Sequence, residues 1–213
     1  MGIGACFSWG KFQVRIAFDI SPANSWQESH WIHYETASVK SAQSVDDLPV
    51  VRHRTFDWEE PTAFWHRAEG KSGLELLRMA IAGELPQPPM ARLMDIRLIQ
   101  VDTGHAVFSG TPQEFHYNPL GTVHGGFGAT MLDSAMGCAV HSTLAPGDIY
   151  TTMEFKINFI RALTHETGEV RGIGRVINAG RTTAIAEGRI EDGEGKLYAF
   201  ATTTCLIKRA GSA

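Results

Sequence analysis

The sequence predicts an α+β domain in which one long central helix is wrapped by a curved antiparallel sheet. Three observations predict it. Only one stretch, residues 125–143, has the length and helical spacing of a long helix, with Phe127, Met131, Leu132, Ala135, Met136, Ala139 and Val140 forming a broad apolar stripe. Two strand candidates precede it and four follow it, joined by turn signals rather than by further helices. One helix against that much sheet buries both apolar faces only if the sheet curls around it.

The elements follow in chain order. Residues 1–51 hold three of the five tryptophans but show no sustained helical or alternating period, and they trail into the polar run from Ser38 to Asp47. Residues 1–53 are therefore set apart as an extension of unassigned role, disordered or arising from a non-native start. No methionine lies between Met1 and Met79, so a native start at Val50 or Val51 fits the same facts. Residues 54–213 form the expected domain. Short helices are expected at 62–67 and 72–82. In the second, Ser72 is the N-cap, Glu75 completes a capping box, Leu74, Leu77, Met79 and Ile81 supply apolar contacts, and Gly83 ends it. The Pro86-Gln87-Pro88-Pro89 run connects onward. Strands are expected at 96–101 and 105–110 around Asp102-Thr103-Gly104. After the helix come 154–159, where Glu154, Lys156 and Asn158 alternate with Phe155, Ile157 and Phe159, and then 170–177, 181–190 and 196–207. Asn178-Ala179-Gly180 and Asp192-Gly193-Glu194-Gly195 read as hairpin turns.

Composition narrows the functional classes. Nineteen Lys plus Arg face 23 Asp plus Glu, a net charge of −4, so no basic excess points to nucleic acid. No apolar run is long enough to span a bilayer, and Lys11 and Arg15 interrupt the start where a signal peptide needs its apolar centre. Cys6, Cys138 and Cys205 are odd in number and far apart, against a disulfide framework. His30 and His33 lack neighbours that would complete a metal set. The expectation is a cytoplasmic protein without membrane, nucleic-acid, metal or cofactor dependence.

The chemistry concentrates in residues 116–134, His-Tyr-Asn-Pro-Leu-Gly-Thr-Val-His-Gly-Gly-Phe-Gly-Ala-Thr-Met-Leu-Asp-Ser. Gly125 and Gly126 at a loop-to-helix junction leave backbone N–H groups uncovered where the helix carries partial positive charge, suited to a negative oxygen. A glycine pair alone serves equally well to let a helix start close to a strand. Asp133 lies two turns further in, too deep to be an N-cap, on a small and polar stripe with Thr130, Ser134, Gly137 and His141.

Asn118, His124-Gly125-Gly126 and Asp133, in this topology, resemble the active-site signature of hotdog-fold acyl-CoA thioesterases of the phenylacetate-pathway (PaaI-like) type. The resemblance runs over about residues 56–207. It implies a homodimer whose sheets join edge to edge, possible pairing into a dimer of dimers, and active sites at the interface. Asn118, His124 and Gly125 would come from one subunit and Asp133 from the other. Gly125 N–H would hold the thioester oxygen, and Asp133 would act as base on water or as nucleophile. Asn118 would orient water or thioester, Thr152 would orient water or Asp133, and His124 would fix the loop. Gly126 and Phe127 are the expected substrate contacts beside them, with the acyl group lying along Phe127, Met131 and Met136. Arg161, Arg175 and above all Arg181 are the expected partners of CoA phosphates. Two rivals are weighed. A hotdog-fold enoyl-CoA hydratase needs an acid where His116 stands. A non-catalytic acyl-CoA-binding regulator would need a partner-docking or DNA-reading extension, but residues 1–53 carry four Lys plus Arg, five Asp plus Glu and no helix-turn-helix pattern.

Overall fold

The computed structural model describes residues 3–9, 12–18, 51–62, 64, 67 and 69–211. The chain divides into two compact units, Met1–Arg52 and His53–Ala213. In the first, β1 (Ile3–Trp9) and β2 (Phe12–Phe18) pair antiparallel with Trp9 opposite Phe12. This hairpin is absent from the sequence expectation, which finds no alternating period there. The polar run 38–47 and the pair His30 and His33 lie outside the described residues.

In the second unit, α1 (Gly73–Ile81) begins as expected. Ser72 Oγ accepts from Glu75 N–H, and the Glu75 carboxylate accepts from Ser72 N–H at 2.7 Å. Leu76 and Leu77 are its buried side chains, whereas Ile81 is exposed, so the face turned inward differs from the expected one. Of the expected helix at 62–67, Phe64 and Arg67 are helical and Thr62 lies in a turn. The proline run does more than connect. Pro89 opens a short helix, α2 (Pro89–Met94), because a proline lacks only an N–H that the first turn does not use. Asp95 ends it in the left-handed region at φ 54°.

β3 (Ile96–Asp102) and β4 (His105–Gly110) form the first hairpin of the sheet. The long helix, α3, spans Gly125–His141. β5 (Ile149–Phe159), β6 (Val170–Ala179), β7 (Thr183–Asp192) and β8 (Leu197–Lys208) follow. The sheet order is β3-β4-β6-β7-β8-β5, every neighbour antiparallel, so β3 and β5 are its two edges. The β6–β7 turn falls at residues 180–182 rather than at 178–180. A bulge at Ile177 carries Asn178 and Ala179 on into the ladder, opposite Ile185 and Ala184.

The seven apolar residues of the stripe on α3 are all buried and face the sheet beside Val170, Ala186, Ile190 and Ala201. Two glycines of β6 let helix and sheet meet so closely. A Cβ on Gly174 would lie 2.2 Å from the Ala135 carbonyl oxygen, and one on Gly172 2.4 Å from Met131 Cγ. Among the described residues no helix is long and apolar enough to cross a membrane.

Candidate active site

The loop before α3 is pinned from three sides. Val123 N–H donates to Leu163 O, His124 N–H to His116 O, and Asn118 N–H to Thr122 O, at 2.9, 2.7 and 2.8 Å. Asn118 spends its side chain on this loop: Oδ1 accepts from Leu120 N–H at 2.8 Å and Nδ2 donates to Thr122 Oγ1 at 3.1 Å. His124 is the N-cap of α3, and its Nδ1 accepts the Gly126 N–H at 2.8 Å. That bond uses up the Gly126 donor. The neighbouring Gly125 N–H makes no hydrogen bond among the described residues, leaving one unpaired donor at the positive end of a 17-residue helix. The end of β5 supplies its cover. A Cβ on Gly125 would meet the Phe159 ring at 2.9 Å, although that side chain is 56% exposed.

Asp133 is half-buried on α3, and Thr152 Oγ1 of β5 donates to its Oδ1 at 2.9 Å. Tyr150 points the same way two residues earlier on the strand, with its hydroxyl 2.6 Å from where a Gly137 Cβ would stand. Burial holds the Tyr150 phenol well above its ordinary range, with smaller contributions from Cys138, Cys205 and Asp133. Tyr150 was not among the expected site residues; the period of two that places it beside Thr152 was the available signal. Cys138 and Cys205 back this cluster. Burial, then the Asp133 charge, pushes the Cys138 thiol up to about 12, and burial raises Cys205, so neither supplies a thiolate near neutrality.

The other expected contacts separate. Phe127, Met131 and Met136 are at most 1% exposed and pack in the core between α3 and the sheet. Arg161 donates to the Leu197 carbonyl, and Arg175 is paired with Glu187 at 2.6 Å. Arg181 is exposed at the β6–β7 turn, near the sheet end where Ile149 pairs with Lys208. Arg161 follows the opposite end of β5, beyond the Phe159–Ala199 pair, so the two arginines do not share a site in one chain. His116, 6% exposed, lies against Phe127 at 4.6 Å between centroids with the rings tilted by 42°, and its Nδ1 accepts from Gln113 N–H. Burial, then the Arg54 charge, lowers its pKa. Among the described residues no three His, Cys, Asp or Glu side chains gather as a metal set.

A long helix held in a curved six-stranded antiparallel sheet defines a hotdog-type scaffold. Residues 120–199 match the thioesterase superfamily. The 1,4-dihydroxy-2-naphthoyl-CoA hydrolase of Listeria monocytogenes is 25% identical over 114 residues, 54% of this chain and 91% of that protein. A phenylacetic acid degradation-related protein of Ralstonia eutropha JMP134 superposes with TM-score 0.56 at 30% identity, over 61% of this chain and 98% of its own. The phenylacetic acid degradation protein PaaI of Thermus thermophilus does so with TM-score 0.51 at 27% identity, over 58% and 100%. The chain belongs to the thioesterase superfamily, as a hotdog-fold, PaaI-like member.

Proposed function

We propose that this protein hydrolyses an acyl-CoA thioester to the free acid and CoA, at composite sites formed between two copies of the chain. The observation that carries the reading is a separation. Gly125 and Asp133 lie eight residues apart on one helix, about 12 Å along its axis, too far for both to act on one carbonyl. The polar group on each is nevertheless poised: the Gly125 N–H is unpaired, and the Asp133 carboxylate is oriented by Thr152. A second copy running antiparallel along the β5 edge would bring each Gly125 toward the other chain's Asp133. Exposed Met153 and Ile149 on that edge support such pairing.

In this site the Gly125 N–H receives the thioester oxygen as it gains negative charge, an interaction typically worth ~3 kcal/mol in the transition state. Asp133 takes a proton from water while the water oxygen bonds to the carbonyl carbon. The tetrahedral adduct then collapses, the C–S bond breaks, and CoA leaves as a thiolate. With a thiol pKa of about 8.5, that departure needs no strong acid. Direct attack by Asp133, giving a mixed anhydride that water then opens, uses the same groups. The buried His116 stands where a hydratase would need an acid, and the poised Asp133 favours turnover over simple binding. Arg161 and Arg181 stand as the proposed phosphate contacts, drawn from opposite chains.

The test is thiol release from an acyl-CoA panel that includes aromatic acyl groups, followed with a thiol-reactive dye. The wild-type protein is expected to release CoA from at least one member, and Asp133→Ala and Asp133→Asn to fold, dimerise and release none. Wild-type-like turnover in either variant overturns the role of Asp133.

A further inference from the structure

Two residues before Thr152 on β5, Tyr150 turns its ring to the same side of the strand and so to the same face of α3. Gly137, one helical turn after Asp133, makes room for it. A Cβ there would lie 2.6 Å from the phenol oxygen and 3.0 Å from a ring carbon, so the tip of the side chain rests on the helix backbone. Residues four apart lie one above the other on a helix surface, about 6 Å along its axis. The phenol therefore fills the place where the next side chain beyond the Asp133 carboxylate would stand.

The ring is backed but its tip is wet. His141, one more turn along α3, stands 5.6 Å from it between centroids, tilted by 45°, and the half-buried Tyr150 also packs against the core. The hydroxyl makes no hydrogen bond among the described residues. The one buried side-chain polar atom without a partner there is His116 Nε2, so the Tyr150 oxygen is reached by solvent. A ring fixed in this way, with an open end beside a carboxylate, is the wall of a recess.

A thioester held with its carbonyl at Asp133 has two arms. The CoA arm is large and charged and stays in water, whereas the acyl arm seeks apolar surface. Toward the start of α3 the helix is covered by the Phe159 ring, which lies over Gly125 and Gly128. Toward its end, the first side chain beyond Asp133 on this face is Tyr150.

We infer that Tyr150 sets the size of acyl group the site accepts. Its ring, seated on Gly137 and backed by His141, is the end wall of the acyl pocket, so a short chain or a single ring reaches Asp133 and a long chain does not. The inference rests on the hydrolytic reading above and adds a substrate class to it. Because Gly137 gives the phenol its seat, the depth of the pocket depends on both residues. Each methylene that a pocket of fixed depth cannot hold costs roughly tenfold or more in kcat/KM.

The test is thiol release from butanoyl-, benzoyl- and decanoyl-CoA, read as the ratio of kcat/KM for decanoyl-CoA to that for the better of the two compact substrates. The wild-type ratio is expected to be low. Tyr150→Ala should raise it by roughly tenfold or more, and Tyr150→Phe, which keeps the ring, should retain the low value. Tyr150→Leu, of shorter reach but still apolar, should raise it less than alanine does and covers the case in which the alanine variant does not fold. A wild-type protein that cleaves decanoyl-CoA as well as the compact substrates overturns the inference. So does a ratio that stays at the wild-type value in the alanine and leucine variants, with hydrolysis itself intact. No thiol release by the wild-type protein from these or from the wider panel above overturns instead the hydrolytic reading, and the inference falls with it.

Discussion

The two edges of the sheet treat their unpaired backbone in opposite ways. β3 is seven residues long, bulged between Leu98 and Gln100, and bears charge at Arg97 and Asp102, the latter 3.9 Å from Arg78. α1 packs behind it through Leu77 and Val101. β5 is eleven residues long and offers Ile149, Met153 and Phe159 to solvent. Short, bulged and charged edges resist pairing, and long apolar ones invite it. The carboxylate expected to do chemistry is hydrogen-bonded from the inviting edge. Under the proposed reading, assembly and reaction thus depend on the same strand.

The strongest way to break this contrast is to charge the inviting edge. Met153→Lys is expected to shift the protein to monomer in sedimentation velocity and to remove measurable thiol release. Gln100→Lys on β3 is expected to change neither. Next in size, Asp133→Asn on an intact dimer should lower kcat by roughly 10²- to 10⁴-fold, the usual worth of a positioned base. Gly125→Pro sharpens the test of the helix end. Proline is well suited to the first helical position, and His124 at φ −60°, ψ 136° already has the extended conformation that precedes it. Only the N–H is lost, and the Phe159 ring has room to swing aside. A loss of roughly 10²- to 10³-fold in kcat is expected with the circular dichroism spectrum unchanged.

How far the sequence reaches is clear from where it stops. α3 is legible because its seven apolar positions follow one helical stripe, and α1 because Ser72 and Glu75 form a recognisable cap. α2 is hidden because prolines punctuate loops and helix starts alike. The displaced β6–β7 turn follows from a bulge, which leaves no mark in a pattern of alternation. At the site, Gly125 and Asp133 stand out locally. The contact between Asp133 and Thr152, 19 residues apart, is tertiary and is expected only from the family resemblance. The use of His124 Nδ1 to cap Gly126, and the lid that Phe159 forms over Gly125, depend on side-chain placement that no spacing encodes.

Smaller effects sharpen the comparison further. Thr152→Val removes the hydrogen bond from β5 to Asp133, worth about 1.5–3 kcal/mol for a charged acceptor, and should cost about tenfold or more in kcat while the dimer persists. The smallest effect concerns the anchoring of β5. Just ahead of it, Asp148 accepts from Ala210 N–H at 2.9 Å and from Arg209 at 2.8 Å, and these bonds hold its pKa below the ordinary carboxylate value. The stability they confer is present above about pH 4, the unfolded aspartate range, and is lost as pH falls through the lower folded value. Asp148→Asn should therefore melt earlier than wild type at pH 6, and the gap should close in acid, as thermal scans across that range would show.

The spacing of Gly125 and Asp133 on one helix has a genetic corollary. Under the proposed reading, each variant alone is inactive in both of its sites. Mixing Gly125→Pro chains with Asp133→Asn chains would create hybrids in which one site inherits both lesions and its twin inherits neither. Two dead preparations, unfolded and refolded together, would regain up to about a quarter of wild-type turnover if the chains re-pair at random.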